Sequence, residues 1–209
     1  NALMDVLRRN PDEKTMVFVH HRETLQHLDA FLREQGIPFA RFDGSLSGSE
    51  KDAAIDAFRE RASVLLSTQS GGEGRNVQFS NTLINYDLPW NPMVIEQRIG
   101  RIHRIGQTRE VFIFNLVTRD TLESHVLRIL EEKINMFELV VGEMGAMLGE
   151  MDEEQDFAQT VFTTWVETTQ DRREAAFDDL GERMIKVKEQ YEAVKSLDTA
   201  LFGDELEAG

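Results

Sequence analysis

The segment Glu96-Gln97-Arg98-Ile99-Gly100-Arg101-Ile102-His103-Arg104 holds the chain's most concentrated polar chemistry. On a helix, Gln97, Arg101 and Arg104 fall at i, i+4 and i+7 and share one face. That spacing gathers two guanidiniums and an amide, and no carboxylate lies between them in sequence to neutralise the pair. Like charges held side by side call for an anion from outside, and the planar fork of arginine suits the oxygens of a polyphosphate. An isolated Arg-x-x-Arg is more often a solvated helix face, so the surrounding pattern has to decide. A second cluster is Ser67-Thr68-Gln69-Ser70-Gly71-Gly72-Glu73-Gly74-Arg75-Asn76, whose glycines let backbone N–H groups come close to an anion, although any turn also uses glycine. His20, His21 and Arg22 form a third. Adjacent residues on a strand point to opposite faces and no third ligand is evident, so no metal site is expected.

The elements that must position these residues alternate from Lys14 to about Thr118. Met16 to Val19 reads as a buried strand, followed by Leu25, Leu28, Phe31 and Leu32 at helical spacing, ending near Gly36. Phe39 to Phe42 is a second strand. Ser47 and Glu50 are spaced as a capping box for a helix carrying Ala54, Ile55 and Phe58. Val64 to Leu66, Thr82 to Tyr86 and Val111 to Val117 are three further strands. Between the last two, Asn91 can cap a helix with Pro92 at its first position, and Gly106 can end it. This alternation predicts a parallel sheet with helices on both faces and functional loops at the carboxyl ends of its strands. After Asp120 the strand pattern stops. Asp120 and Glu123 suggest a capping box opening a helix to about Val141, and two more helices are expected over 157–166 and 174–197. In the last, Phe177, Leu180, Met184, Val187, Tyr191 and Val194 step by three and four along one stripe, read as packing on the chain's own core. Met136, Met144, Met147 and Met151 read as core filler. The organisation expected is a first domain over 1–142 and an acidic helical extension over 143–209.

The formal charge of −15 is unevenly spread: residues 1–142 hold 17 Lys and Arg against 20 Asp and Glu, residues 143–209 hold 6 against 18. A basic stripe in the first part is therefore compatible with the overall acidity. No apolar run approaches the roughly 20 residues of a membrane-spanning helix, and no membrane partner is expected. The absence of cysteine excludes disulfides and fits a reducing cytoplasm. The chain opens on Asn1 with no signal-peptide pattern, as expected of a piece of a longer protein. No lysine follows a glycine, so there is no Gly-Lys-Ser/Thr phosphate loop, and no acidic pair closes an apolar strand to hold magnesium. Phosphoryl transfer requires both. Any nucleotide site here is half a site.

Ordered blocks spread over roughly residues 14–135 carry a family resemblance. Gln97-x-x-Gly100-Arg101-x-x-Arg104 is similar to motif VI of superfamily-two helicases, and Arg101-Ile102-His103-Arg104-Ile105-Gly106-Gln107 resembles the narrower signature of the Swi/Snf-type translocases. Val17-Phe18-Val19-His20 with His21-Arg22-Glu23 resembles motif IV. Phe42-Asp43-Gly44-Ser45-Leu46 resembles the Asp-Gly-Ser block that follows it, and Ser67 to Asn76 resembles motif V. Asp87-Leu88-Pro89-Trp90-Asn91-Pro92 is similar to the Asp-x-x-Trp-Asn-Pro link into motif VI. Gly100 departs from the acidic residue that many chromatin-remodelling members carry, and points toward the bacterial branch.

The resemblance implies a RecA-like second motor lobe that cannot hydrolyse ATP alone, in a protein acting in the cytoplasm at the nucleoid. Arg101 and Arg104 match arginine fingers acting on ATP bound to the missing N-terminal lobe, which would also hold most of the Mg²⁺. Such fingers are worth about 10³–10⁵ in rate. Gln97 matches a residue at the same nucleotide-facing surface. Ser67 and Thr68 match contacts to a phosphate of double-stranded DNA, which Gly74 and Asn76 would couple to the nucleotide. His21 and Arg22 lie where phosphate contact is expected. Trp90 matches an aromatic near the DNA groove, with a plug beneath the helix start as an equal reading. The acidic extension is open to three roles: repelling DNA, docking on another domain or binding a protein partner. A strand-separating DNA or RNA helicase lobe is the nearest alternative to a translocase, and an acidic interaction module on an inactive motor scaffold the other.

Overall fold

In a computed structural model that describes residues 2–69, 77–103, 110–133, 135 and 156–202, the chain forms two compact units: Asn1–Pro89 with Val94–Arg119, and Trp90–Met93 with Asp120–Gly209. The first is built on a parallel sheet of β1 (Thr15–Val19), β2 (Phe39–Phe42), β3 (Val64–Thr68), β4 (Thr82–Asn85) and β5 (Phe112–Asn115), in the order β2-β3-β1-β4-β5. Its helices are α1 (Ala2–Arg9), α2 (Arg22–Glu34), α3 (Gly48–Glu60) and most of α4 (Pro92–Ile99).

β1 lies in the middle of the sheet, Met16 opposite Leu65 and Leu83, and all five of its residues are buried. Successive strand side chains point to opposite faces. Met16 and Phe18 therefore join a core with Ile55 and Phe58 of α3, while Val17 and Val19 join another with Leu25, Leu28 and Leu32 of α2 and Leu3 of α1. Burying each such side chain contributes about 1.5–3 kcal/mol, which is why the sheet needs cover on both sides. The two layers follow the strand–helix alternation of the sequence. α1 does not appear in that reading, because Leu3, Met4 and Leu7 are a short apolar stripe among charges.

The helix starts follow local chemistry. Ser47 N–H donates to Glu50 Oε2 (2.8 Å) and Glu50 N–H to Ser47 Oγ (3.4 Å), the expected capping box. Asn91 Oδ1 accepts from Met93 N–H (2.9 Å), capping α4 with Pro92 as its first residue. Past the end of α2, Gly36 adopts φ +66°, a left-handed turn that a side chain would strain.

Two expectations are corrected. α4 stops at Ile99 rather than near Gly106: Arg101 N–H donates to Arg98 O (3.1 Å) and Ile102 N–H to Ile99 O (3.0 Å), tightening into i→i−3 turns around Gly100, a poor helix former. Gln97 and Arg101 therefore do not stand on one helical face. Gln97 is in the last turn of α4, Arg101 is in the turn beyond, and Arg104 lies outside the described residues. The second helical start also shifts by one residue. Asp120 takes φ 59°, and the box forms at Thr121, whose N–H donates to Ser124 Oγ (3.2 Å) while that hydroxyl donates back to Thr121 O (2.8 Å).

The second unit contains α5 (Leu122–Arg128), a π-helical turn Ile129–Lys133, α6 (Asp156–Glu167) and α7 (Gln170–Phe202). Leu122, Val126, Ile129, Leu130, Phe157, Val161, Phe177, Leu180 and Met184 are buried. Of the expected stripe on α7, the first three residues are core, Val187 and Tyr191 are half-buried and Val194 is exposed. The remainder of the helix expected to 141, the four methionines and the 142/143 boundary lie outside the described residues. No helix among the described residues is long and apolar enough to cross a membrane.

Candidate functional site

A cleft of about 380 Å³ opens at the carboxyl ends of β1, β2 and β3, lined by His20, Arg22, Leu25, Arg41, Asp43, Gly44, Ser45 and Thr68. The parallel sheet aims these three strand ends the same way, so segments distant in sequence share one rim. Asp43 organises the middle segment: its Oδ1 accepts from Ser45 N–H (2.8 Å) and Ser45 Oγ (2.6 Å), and Arg41 donates to its Oδ2. Burial works against the charge, but the bonds from Ser45 and Arg41 outweigh it and hold the Asp43 carboxyl below its ordinary value. Asp43 thus neutralises Arg41 while fixing the turn. Cation character at the rim comes from Arg22, exposed in the first turn of α2, and from the positive N-terminal end of that helix. His21 is the residue preceding α2 and its side chain caps no backbone group there; His20 stands edge-on to it at 4.7 Å.

Ser67 and Thr68 close β3 and differ in exposure. Ser67 is fully buried with its hydroxyl donating to Thr68 O (3.0 Å), whereas Thr68 is half-buried and lines the cleft. Gly74 and Asn76 lie outside the described residues.

At the end of α4, Gln97 is exposed and its Oε1 accepts from Gln69 Nε2 (3.1 Å). Sequence reasoning passed over the neighbour of Gln97. Arg98 is 1% exposed and is among the largest fully buried side chains. Its Nη1 donates to Asn85 Oδ1 (2.8 Å) and Asp87 O (3.1 Å), its Nε to Gln69 Oε1 (3.3 Å), and its guanidinium lies over the Phe18 ring at 5.1 Å. Burial pulls it down to about 10, opposed by Asp87. Asp87 in turn accepts from His20 N–H (2.6 Å). The available signal was periodicity within α4: Arg98 stands three residues after the fully buried Ile95, which turns it inward.

Trp90 belongs to the helical unit. Its indole N–H points at Glu123 Oε1 (3.4 Å) and its ring stacks on Phe162 at 6.0 Å. Both contacts lie within that unit. Among the described residues no group of three His, Asp or Glu side chains is disposed to hold a metal ion.

Comparison with known proteins gives the family. The profile of the helicase conserved C-terminal domain matches residues 1–106. An uncharacterized ATP-dependent helicase of Bacillus subtilis (strain 168) is 50% identical over 137 residues, covering 66% of this chain and 25% of the relative. The RNA polymerase-associated protein RapA of Proteus mirabilis is 41% identical over 140 residues, 65% of this chain and 14% of its own length. A CHD3-type chromatin-remodeling factor of Arabidopsis thaliana is 32% identical over 154 residues, 72% and 13%. Among solved structures, the C-terminal part of the Fun30 ATPase domain superposes with a TM-score of 0.56 at 31% identity, over 61% of this chain and 43% of that one. The chain spans at most a quarter of the length of these curated relatives.

Proposed function

The chain belongs to the helicase conserved C-terminal domain family, in its superfamily-two, Swi/Snf-type branch, and from that premise we propose that it is the second lobe of an ATP-driven motor that tracks along double-stranded DNA. One observation carries the reading. The cleft and the end of α4 are two polar clusters on one sheet, and Gln69, directly after Thr68, bonds to Gln97. In this reading Thr68, His21, Arg22 and the N-terminal end of α2 hold a DNA phosphate, with Ser67 shaping the strand end beneath. The exposed Gln97 faces the nucleotide, and Arg101 and Arg104 reach the triphosphate, where arginine forks stabilise charge on the transferring phosphoryl group. ATP supplies the phosphoryl group whose transfer drives movement; the other lobe supplies the magnesium site and the phosphate loop. Gly74 and Asn76 complete the connection between DNA and nucleotide, and Trp90 packs on Phe162 within the helical unit.

Hydrolysis by the full-length protein, with and without duplex DNA, tests this. Arg101→Ala or Arg104→Ala is expected to reduce DNA-stimulated turnover by about 10³-fold or more while the fold persists. The isolated chain is expected to turn over no ATP. Normal hydrolysis by either variant removes that arginine from the catalytic role, and robust turnover by the isolated chain ends the half-site reading. DNA affinity should also fall steeply with salt, as phosphate-dominated contacts do.

A further inference from the structure

Gln69 is held at both ends of its amide. Its Nε2 donates to Gln97 Oε1 (3.1 Å) and its Oε1 accepts from Arg98 Nε (3.3 Å), so two consecutive residues of α4 grip one side chain. Gln69 follows Thr68 of the cleft and precedes the glycine-rich segment 70–76. Arg98 extends the grip. It bonds to Asn85 and to the carbonyl of Asp87, and the carboxylate of Asp87 accepts from His20 N–H at the start of the other wall of the cleft. The side chain thus touches residues at the ends of β3 and β4 and lies over Phe18 of β1, with no exposed surface of consequence. Arg98 also keeps a buried Nη2 with no hydrogen-bond partner, as does Asp87 at Oδ2. The hydrogen-bond partners of this buried guanidinium are neutral, and the charge of Asp87 opposes the effect of burial. Packing alone gives no reason for a cation here, whereas a rigid fork that ties three strand ends to one helix does.

We propose that Gln69 and Arg98 are positioning residues that couple the DNA-facing cleft to the nucleotide-facing end of α4. The inference rests on the motor reading above. Neither residue touches DNA or ATP in it. Together they set where Gln97 and the turn carrying Arg101 stand relative to the strand end that contacts the phosphate backbone. When duplex DNA engages Thr68 and Arg22, the displacement passes through the Gln69 amide to α4 and brings the turn into register for hydrolysis. Without the clamp both halves still work, but neither informs the other.

The test uses the full-length protein and measures hydrolysis without DNA, hydrolysis at saturating duplex, the DNA concentration for half-stimulation and the thermal midpoint. Gln69→Leu removes both amide bonds and keeps the side-chain bulk. It is expected to leave basal turnover and half-stimulating DNA within about twofold, and to lower the stimulated-to-basal ratio about tenfold or more. Arg98→Lys keeps the charge and loses the fork; it should lower the same ratio, and the double variant should be no worse than the more affected single one. An unchanged ratio in Gln69→Leu overturns the clamp, as does an equal fall in basal and stimulated rates, which marks a merely structural residue. Multiplying losses in the double variant overturn it as well. If the unmodified protein is not stimulated by DNA at all, the motor reading itself fails and takes the clamp with it. Stimulation of the unmodified protein with an unaffected Gln69→Leu removes the clamp alone.

Discussion

Arg98 in the α/β unit and Arg128 and Arg173 in the helical unit are all drawn out of water, and they are compensated in different ways. Arg128 faces Glu174 (3.7 Å) and Asp178 (3.1 Å), carboxylates that keep 77% and 48% of their exposure. Arg173 lies over the Trp165 ring at 3.8 Å and donates to Trp165 O and Thr168 O (both 3.2 Å), closing the carboxyl end of α6. Each cation there is matched by an anion, a helix terminus or an aromatic face near solvent. Arg98 makes no ion pair with a described carboxylate; its hydrogen-bond acceptors are neutral, and the charge of Asp87 acts on it without such a bond. The helical unit uses arginine as fastening. The α/β unit keeps one in its interior, where it ties polar groups of separate segments together.

Phe177 gives that contrast its largest test. It is fully buried and stacks on His125 (4.7 Å, 18°) beside Trp165 at 6.5 Å. Phe177→Ala should destabilise the helical unit by about 3–5 kcal/mol, the usual cost of emptying an aromatic site. Peptide-resolved amide exchange should then accelerate over α5 and α7 while the strands keep their protection. Equal acceleration in β1 and β3 would mean that the two units share one cooperative core. The paired arginines come next. Arg98→Leu leaves Asn85 Oδ1 and the Asp87 carbonyl without their donor and should cost about 1–3 kcal/mol. Arg128→Leu releases two exposed carboxylates into water and should cost less than about 1 kcal/mol. Urea midpoints that reverse this order would remove the contrast.

Much of the sheet was legible in sequence because parallel strands buried on both faces leave short apolar runs punctuated by turn residues, as in Met16 to Val19 and Val64 to Leu66. The Ser47 and Glu50 cap and the Asn91-Pro92 start were equally plain, since both are settled within a few residues of sequence. Where tertiary packing decides, the reading failed. The turn at Gly100 ended α4 early because the backbone tightened to i→i−3 bonds, and the arginine pattern gave no sign of that. Arg98 was hidden because an arginine does not read as core, although its place three residues after the buried Ile95 turns it inward. Ser67 and Thr68 were read as equivalent, yet the pleat sends one into the core and one to the cleft.

The smallest effect distinguishes the units by pH. Burial, then the charge of Arg128, and then that of Arg173 lower the His125 imidazole from its ordinary value; Glu174 and Asp120 oppose them. The folded state thus binds this proton less readily than the unfolded chain. Above about pH 6.5 both states are neutral at His125 and the group adds no pH dependence. As pH falls through that value toward the lower folded one, the unfolded chain is protonated first and the helical unit loses stability. His125→Phe keeps a ring against Phe177 and removes the titration. The difference in urea midpoint between the unmodified chain and this variant should therefore be constant above about pH 7 and grow to the disadvantage of the unmodified chain toward about pH 5.5. A difference that stays flat across that range, or grows in the other direction, would show that burial and the neighbouring cations do not lower His125 in the folded state.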